Sequence, residues 1–196
     1  MNTARRLNVA IVGDTGVGKS SLVNAIFNDQ RAATGIGAPV TEGAEYHVSH
    51  DGTVGVWDFG GFEHGGDVPP LDGLRERLAQ IQSGSQDQAI AVAWFCWDAS
   101  SARVTDGHRA LIAALVNAGV PVVGVLTKVL RRGDAIKEEH SEFAQWIEGE
   151  DLGLADPQVY VTAVVADPDF GVEVHGLAQL LRATSALASA APEELH

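Results

Sequence analysis

The sequence predicts an α/β fold in which a mixed, mostly parallel sheet of six strands carries helices on both faces. Short, nearly continuous apolar runs alternate with amphipathic segments, which is the pattern of parallel strands buried on both sides. The chain has 196 residues, 45% of them hydrophobic, which is enough for one domain with a sizeable core. A hairpin turn signal at Asp51-Gly52 predicts one antiparallel edge strand on this sheet.

The predicted elements follow one another in a regular order. Apolar runs predict strands at 7–12, 44–50, 53–57, 89–97, 120–126 and 159–165. Helical periodicity predicts helices at 19–27, 71–81, 105–118, 135–147 and 177–187. Two long segments without periodicity, 29–43 and 60–70, are predicted as functional loops. We expect a single domain over residues 1–190 and a short tail at 191–196.

Composition excludes several classes of function. Asp and Glu number 26 against 13 Lys and Arg, a formal net charge of −13, which argues against nucleic acid or an anionic membrane surface as a partner. The longest apolar run, 89–97, falls short of the roughly 20 residues of a membrane span, so no integral membrane segment is expected. The single cysteine, Cys96, excludes an intramolecular disulfide and fits a reducing compartment. A cytoplasmic protein is expected.

The strongest motif joins the first strand to the first helix. Residues 13–20 read GDTGVGKS and match G-x-x-x-x-G-K-[ST] at every fixed position. The glycines let backbone N–H groups wrap around a phosphate, and the following helix N-terminus adds positive potential. Lys19 can reach the outer phosphates and the Ser20 hydroxyl can ligate Mg²⁺. The predicted nucleotide-binding residues of this loop are Gly13, Asp14, Thr15, Gly16, Val17, Gly18, Lys19, Ser20 and Ser21.

A second motif, D-x-x-G, ends the strand at 53–57. Asp58 is placed to hold Mg²⁺ through water, and the N–H of Gly61 can meet a γ-phosphate because no side chain blocks its approach. Between the two motifs, Thr41 is the candidate to cover Mg²⁺ with its hydroxyl and the γ-phosphate with its N–H, with Thr34 as the competing residue. The sequence thus predicts Lys19, Thr41 and Gly61 as catalytic residues. Its predicted metal ligands are Ser20, Thr41 and Asp58.

The segments TGVGKSSLVNAIF, GAPVTEG and VWDFGGFE, in this order, resemble the P-loop GTPase family. More narrowly they resemble its translation-factor-related class, with Era-like, septin-like and immunity-related GTPases. The resemblance extends over nearly the whole chain and implies a G-domain fold, binding of GTP and GDP with Mg²⁺, and a conformational cycle tied to GTP hydrolysis. It also implies that Thr127, Lys128, Thr162 and Ala163 belong to the nucleotide site, around the base, and that the N–H of Ala163 faces the guanine carbonyl.

Two positions depart from the family pattern. Leu130 stands where the family has the Asp that accepts hydrogen bonds from guanine, and leucine can accept none. Guanine selectivity is therefore open, with Asp134 in the next loop as a possible substitute. Phe62 stands where a water-positioning Gln is common, so another group or a partner must orient the attacking water. Glu63 and His64 are nearby candidates, although solvated loop residues are the more ordinary interpretation of both.

The sequence therefore predicts a guanine-nucleotide-binding switch that hydrolyses GTP to GDP and phosphate with Mg²⁺, slowly without a partner. Two alternatives stay open. One is an NTPase with weak base selectivity, suggested by Leu130. The other is a non-hydrolysing nucleotide-binding scaffold or heterodimer subunit, suggested by Leu130 together with Phe62. The expected partners are an effector protein and a second subunit, of the same or another chain, bound through the nucleotide face.

Overall fold

Strands and helices alternate along the chain in the computed structural model, which describes residues 6–29, 39–41, 44–59, 71–166 and 173–190. The strands are β1 (Leu7–Gly13), β2 (Pro39–Thr41), β3 (Ala44–Val48), β4 (Val54–Phe59), β5 (Val92–Asp98), β6 (Val122–Thr127), β7 (Arg131–Arg132), β8 (Ala135–Ile136) and β9 (Val159–Val161). The helices are α1 (Lys19–Asp29), α2 (Leu71–Ser83), α3 (Asp106–Asn117), α4 (Glu138–Glu148) and α5 (Leu177–Ala190).

The main sheet has the strand order β2-β3-β4-β1-β5-β6-β9. Strands β4, β1, β5, β6 and β9 run parallel, and β3 runs antiparallel to β4. The predicted α/β fold, with six strands and one antiparallel member, is confirmed. The short strand β2 pairs antiparallel with β3 and adds a seventh strand, so β3 lies next to the edge of the sheet.

Helices cover both faces of the sheet, as the sequence predicts. Successive side chains of β1 point to opposite faces, so that Ala10 and Val12 join one buried cluster while Val9 and Ile11 join the other. Helices α2, α3 and α4 pack on the first cluster, and α1 and α5 pack on the second. Because the five parallel strands end at the same edge, the loops that follow them meet there, which is where α/β sheets bind ligands.

Most predicted elements begin or end at slightly different residues in the structure, and two of these differences change the path of the chain. The helix predicted at 135–147 begins at Glu138, because 131–136 forms the hairpin of β7 and β8 around Gly133, whose φ is +58°. The strand predicted at 159–165 ends at Val161, because Ala163 pairs with His175 instead of continuing along β6. Both differences lie beside the predicted base site.

Cys96 lies in β5 and is buried, and its burial raises the pKa of the thiol to about 12. The thiol therefore stays protonated at neutral pH and is unreactive, as buried structural cysteines are. Among the helices within the described ranges, none is both long and apolar enough to cross a membrane.

A buried hydrogen bond ties α5 to the centre of the sheet and gives a first prediction. The indole N–H of Trp94 donates to the hydroxyl of Thr184 at 2.9 Å, and both residues are fully buried. Thr184→Val keeps the shape but removes the acceptor, so we expect it to lower the free energy of unfolding by about 1–3 kcal/mol in urea titrations. Thr184→Ser keeps the hydroxyl and is the control. Equal stability of the two variants would contradict the prediction.

Candidate functional site

The phosphate loop lies at the carboxyl end of β1, between its neighbours β4 and β5. Gly13, Gly16 and Gly18 all have positive φ, at +149°, +81° and +103°. A Cβ added to Gly13 would overlap the main-chain carbonyl oxygen of Cys96 on β5. The first glycine of the motif is therefore required both for its backbone conformation and for the close approach of two strands.

Lys19, the first residue of α1, is folded back over this loop. Its ammonium donates to the carbonyl oxygens of Gly13 and Asp14 at 2.8 and 2.9 Å, and only 7% of the residue is exposed. The aliphatic part of the Lys19 side chain is thus packed, and its ammonium group is held at the phosphate loop beside the N-terminus of α1. This arrangement concentrates positive potential where the sequence predicts phosphate, in a chain that is acidic overall.

Residues at the end of β6 and directly after it form hydrogen bonds with the other side of the phosphate loop. The Thr127 hydroxyl contacts the carbonyl oxygens of Val17 and of Trp97, the latter at 3.0 Å. The Lys128 ammonium donates to the carbonyl oxygen of Gly16 at 2.6 Å and to the Asp98 carboxylate at 2.7 Å. The structure therefore places the polar atoms of Thr127 and Lys128 on the phosphate loop itself, and their predicted role around the base stays a prediction.

Asp98 ends β5 and was not predicted as a site residue. Partial burial alone raises the pKa of its carboxyl, but hydrogen bonds from Lys128 and Ser100 outweigh that effect and leave the pKa below its ordinary value. Asp98 is therefore ionised at neutral pH and holds Lys128, whose φ of +56° is uncommon for a residue with a side chain. An acidic residue at the end of an apolar strand, as at Asp58, is the sequence signal that could have found it.

Asp58 lies near the end of β4 with a half-buried side chain. Burial raises the pKa of its carboxyl, and the charge of Lys19 opposes that rise, so the two side chains are near enough to interact. The Ser20 side chain is exposed at the start of α1. Hydroxyl and carboxylate oxygens are the ligand types that Mg²⁺ takes in proteins, so this pair fits the ion. In the described ranges, no group of three His, Cys, Asp or Glu residues could hold a metal by itself.

The main-chain donors on the base side of the site are already engaged within the protein. The N–H of Ala163 donates to the carbonyl oxygen of His175 at 3.1 Å, and the N–H of Thr162 donates to that of Leu126 at 2.8 Å. Leu130 is 40% exposed, and its own N–H donates to Nδ1 of His140 at 3.1 Å. The N–H of Ala163, which the resemblance assigns to the guanine carbonyl, is therefore already used within the protein.

Asp134, the predicted substitute for the missing carboxylate, is exposed in the turn of the β7–β8 hairpin. The hairpin begins directly after Leu130. It is closed at its base by a hydrogen bond from the N–H of Lys137 to the carbonyl oxygen of Leu130. Among the described residues, the structure shows no hydrogen bond between Asp134 and the predicted base-site residues.

Several predicted residues have no described side chain. Thr41 lies in β2, and the structure describes its strand pairing with β3 but not its side chain. Gly61, Phe62, Glu63, His64 and Thr34 lie outside the described residues, as do most of the two predicted loops and the tail at 191–196. Their roles stay predictions.

A histidine that sequence analysis did not single out also reaches the loop. His108, in the first turn of α3, contacts the Asp14 carboxylate through Nε2 at 2.9 Å. The same ring completes a capping box with Thr105, the residue that precedes α3. The T-x-x-H spacing predicts a helix cap, but no sequence signal connects residue 108 with residue 14.

Comparisons with known proteins agree with this geometry. The sequence profile of the family described as 50S ribosome-binding GTPase matches residues 8–128, which is more than half of the chain. No curated protein matches significantly.

Solved structures share the fold at low sequence identity. Translation elongation factor SelB from Methanococcus maripaludis, in complex with the GTP analogue GppNHp, is similar with a TM-score of 0.58 and 14% identity over 96% of this chain. This chain spans only 35% of the SelB chain. The G domain of the T. maritima FeoB iron transporter is similar with a TM-score of 0.56 and 20% identity, over 93% of this chain and 99% of that domain.

Proposed function

Since the chain belongs to the 50S ribosome-binding GTPase family and is a GTP-binding switch, we propose that it hydrolyses GTP to GDP and phosphate with Mg²⁺, slowly when no partner is present. The observation that carries this proposal is the phosphate loop of residues 13–20, with its three positive-φ glycines and the ammonium of Lys19 folded over it. That arrangement suits a chain of phosphates, because N–H groups and a cation converge on one small volume.

In this proposal the loop residues, together with Ser21, bind the phosphates, and Lys19 neutralises charge on the phosphates next to the bond that breaks. Water attacks the γ-phosphorus, and the bond to the β-γ bridging oxygen breaks, so GDP leaves with that oxygen. The N–H groups of Thr41 and Gly61 sense the γ-phosphate. We assign the slow rate to Phe62, which cannot orient water by hydrogen bonding.

Mg²⁺ would be held by Ser20, Thr41 and Asp58, with Asp58 acting through water. When bound, the ion would neutralise negative charge on the outer phosphates. The protein must keep Asp58 ionised for this role, and Lys19 favours that state because its charge opposes the effect of burial on the Asp58 pKa. The segments 29–43 and 60–70 are proposed to change conformation between the GTP and GDP states.

We propose that this switch acts in the cytoplasm, on the basis of its single, buried cysteine. An effector protein would read the GTP state, and a dimer of like or unlike subunits would form through the nucleotide face. Nucleic acid is not a proposed partner, since the net charge is −13. No integral membrane segment is proposed, since the longest apolar run, 89–97, is shorter than a membrane span.

The test measures phosphate release from GTP with Mg²⁺ and with EDTA, alongside GDP affinity by calorimetry. We expect Mg²⁺-dependent turnover of roughly 10⁻⁴–10⁻² per second, the range of unassisted GTPases. Asp58→Ala should lower turnover at low Mg²⁺ more than at high Mg²⁺, and Asp72→Ala, an exposed carboxylate on α2, is the matched control. Tight GDP binding with no turnover at any Mg²⁺ concentration would favour the non-hydrolysing scaffold instead.

A second candidate function, an NTPase with weak base selectivity, has specific support at the base site. Leu130 offers no acceptor, and the N–H of Ala163, which the resemblance assigns to the guanine carbonyl, already donates to His175. A guanine base would therefore gain little over adenine from these residues. Comparable affinities for GDP and ADP would favour this candidate, and a GDP preference of tenfold or more would exclude it.

Leu130→Asp gives a direct prediction for the same site. The new carboxylate can accept two hydrogen bonds from a guanine edge, and the 40% exposure of Leu130 leaves room for it. We expect GDP affinity to rise by about tenfold, or about 1.4 kcal/mol, with ADP affinity unchanged. Leu130→Asn, of the same size, has only one acceptor oxygen and should gain less. An equal gain for both nucleotides in calorimetry would show that residue 130 does not meet the base edge.

A further inference from the structure

An acidic side chain lies in the loop that is meant to bind anions. Asp14 is the second residue of GDTGVGKS, and its carbonyl oxygen is 2.9 Å from the Lys19 ammonium. Because the main chain of Asp14 belongs to this loop, its carboxylate lies near the proposed phosphate site, and two negative charges at such short range repel each other. A contact that fixes the position of this carboxylate can therefore change the affinity of the loop for nucleotide.

His108 supplies the restraint from α3. Its Nε2 is 2.9 Å from Oδ2 of Asp14, and the imidazole is 4% exposed while the Asp14 side chain is 27% exposed. Nδ1 of the same ring accepts the indole N–H of Trp97 and the backbone N–H of Thr105, each at 3.2 Å. Since Nδ1 serves two donors, the ring proton is assigned to Nε2, which donates it to Asp14.

The imidazole of His108 is packed and hydrogen-bonded on several sides, so its orientation is fixed. Phe95 and Trp97 pack edge-on against it, with centroid distances of 5.5 and 6.4 Å. Thr105 is at the same time the cap of α3, and its hydroxyl accepts the backbone N–H of His108. The position of the His108 ring, whose Nε2 contacts Asp14, is thus set by residues of β5 and the start of α3 and not by residues of the phosphate loop.

We propose that His108 is a positioning residue for nucleotide binding, which holds the Asp14 carboxylate against α3 and so keeps its charge from opposing the phosphates. This inference rests on the proposed binding of nucleotide at the phosphate loop. It differs from a purely structural tie between α3 and the loop, because only the electrostatic role depends on the charge of Asp14.

The test compares His108→Phe with the double variant Asp14→Asn/His108→Phe. Phenylalanine keeps a planar ring but donates nothing, so the hydrogen bond from residue 108 to the Asp14 carboxylate is lost. We expect GDP affinity in 50 mM salt to fall about tenfold, GTP affinity to fall further because GTP carries more charge, and both losses to shrink in 500 mM salt. The Asp14→Asn change in the double variant removes the charge, and affinity should return to within about threefold of the original chain.

His108→Gln is the conservative variant, because its amide nitrogen stands as many bonds from Cα as Nε2 and can donate to Asp14. Recovery of GDP affinity in this variant supports the proposal. Failure of Asp14→Asn to rescue His108→Phe overturns it in favour of a structural tie. If the original chain binds neither GDP nor GTP, the proposed function fails first and the inference fails with it.

A measurement on the unaltered protein covers the case in which His108→Phe does not fold. Long-range ¹H–¹⁵N NMR spectra of the imidazoles distinguish a proton on Nε2 from one on Nδ1. We expect the Nε2–H tautomer for His108, retained when GDP is added. The Nδ1–H tautomer would overturn the proposal, because the ring could then not donate to Asp14.

Discussion

Lys19→Ala is expected to lower the affinity for GDP and GTP by about 100-fold or more. The ammonium is the cation of the phosphate loop, and hydrogen bonds to charged groups contribute about 1.5–3 kcal/mol each. For GTP the loss of binding free energy should exceed about 3 kcal/mol, because Lys19 is also proposed to neutralise the phosphates next to the bond that breaks. Calorimetry with both nucleotides, in the presence of Mg²⁺, measures the effect.

The chain provides a matched control for this substitution. It has three lysines, and the ammonium of the exposed Lys137 pairs with Glu139, whereas that of Lys19 pairs with the phosphate loop. Lys137→Ala removes the same charge from the protein and should leave GDP affinity within about twofold, since exposed ion pairs contribute little. Thermal unfolding of both variants separates lost binding from lost folding. A Lys19→Ala protein that is folded and still binds GDP normally would contradict the assignment of residues 13–20 as the nucleotide site.

The features that could be predicted from sequence are those in which residues close in the chain act together. The phosphate loop is an eight-residue motif between a strand and a helix, so its glycines and Lys19 are placed by local geometry alone. The parallel sheet follows from apolar runs that alternate with helices, because parallel strands need crossover connections. Asp58 follows in the same way from its position at the end of a strand.

The contacts that sequence analysis missed join residues far apart in the chain. Asp14 and His108 are 94 positions apart, and their pairing depends on how α3 packs beside β1 and β5. Ala163 and His175, 12 positions apart in the chain, form an antiparallel bridge. In this bridge the N–H of Ala163, which the resemblance assigns to the base, donates to the carbonyl oxygen of His175. Such contacts are set by tertiary packing, which neither periodicity nor motif spacing encodes.

The wrong start of α4 has a local cause. Residues 131–136 read RRGDAI, in which Gly133 and Asp134 are turn formers, yet the apolar spacing from Ala135 to Ile147 fits a helix. The turn prevails because Gly133 takes a φ of +58° and the hairpin closes between Arg131 and Ile136. Turn chemistry therefore outweighs helical periodicity where the two overlap.

Gly13→Ala is expected to have the largest effect on stability, and it tests the link between the fold and the site. Its Cβ would overlap the carbonyl oxygen of Cys96, and its φ of +149° is rare for residues with a side chain. Strain and overpacking each cost about 1–3 kcal/mol, so we expect the free energy of unfolding to fall by about 3 kcal/mol or more. Urea titration measures this loss.

The loss of nucleotide binding should accompany the loss of stability, because Gly13 pairs with Cys96 at the point where the sheet becomes the loop. Separating β1 from β5 there would move the carbonyl oxygen of Gly13, which accepts from Lys19. Gly119→Ala is the control, since its φ is +75° but a Cβ would meet nothing within 4 Å. It should cost about 1 kcal/mol and leave GDP affinity unchanged. If Gly13→Ala costs no more than this control, β1 and β5 do not constrain the loop as the structure indicates.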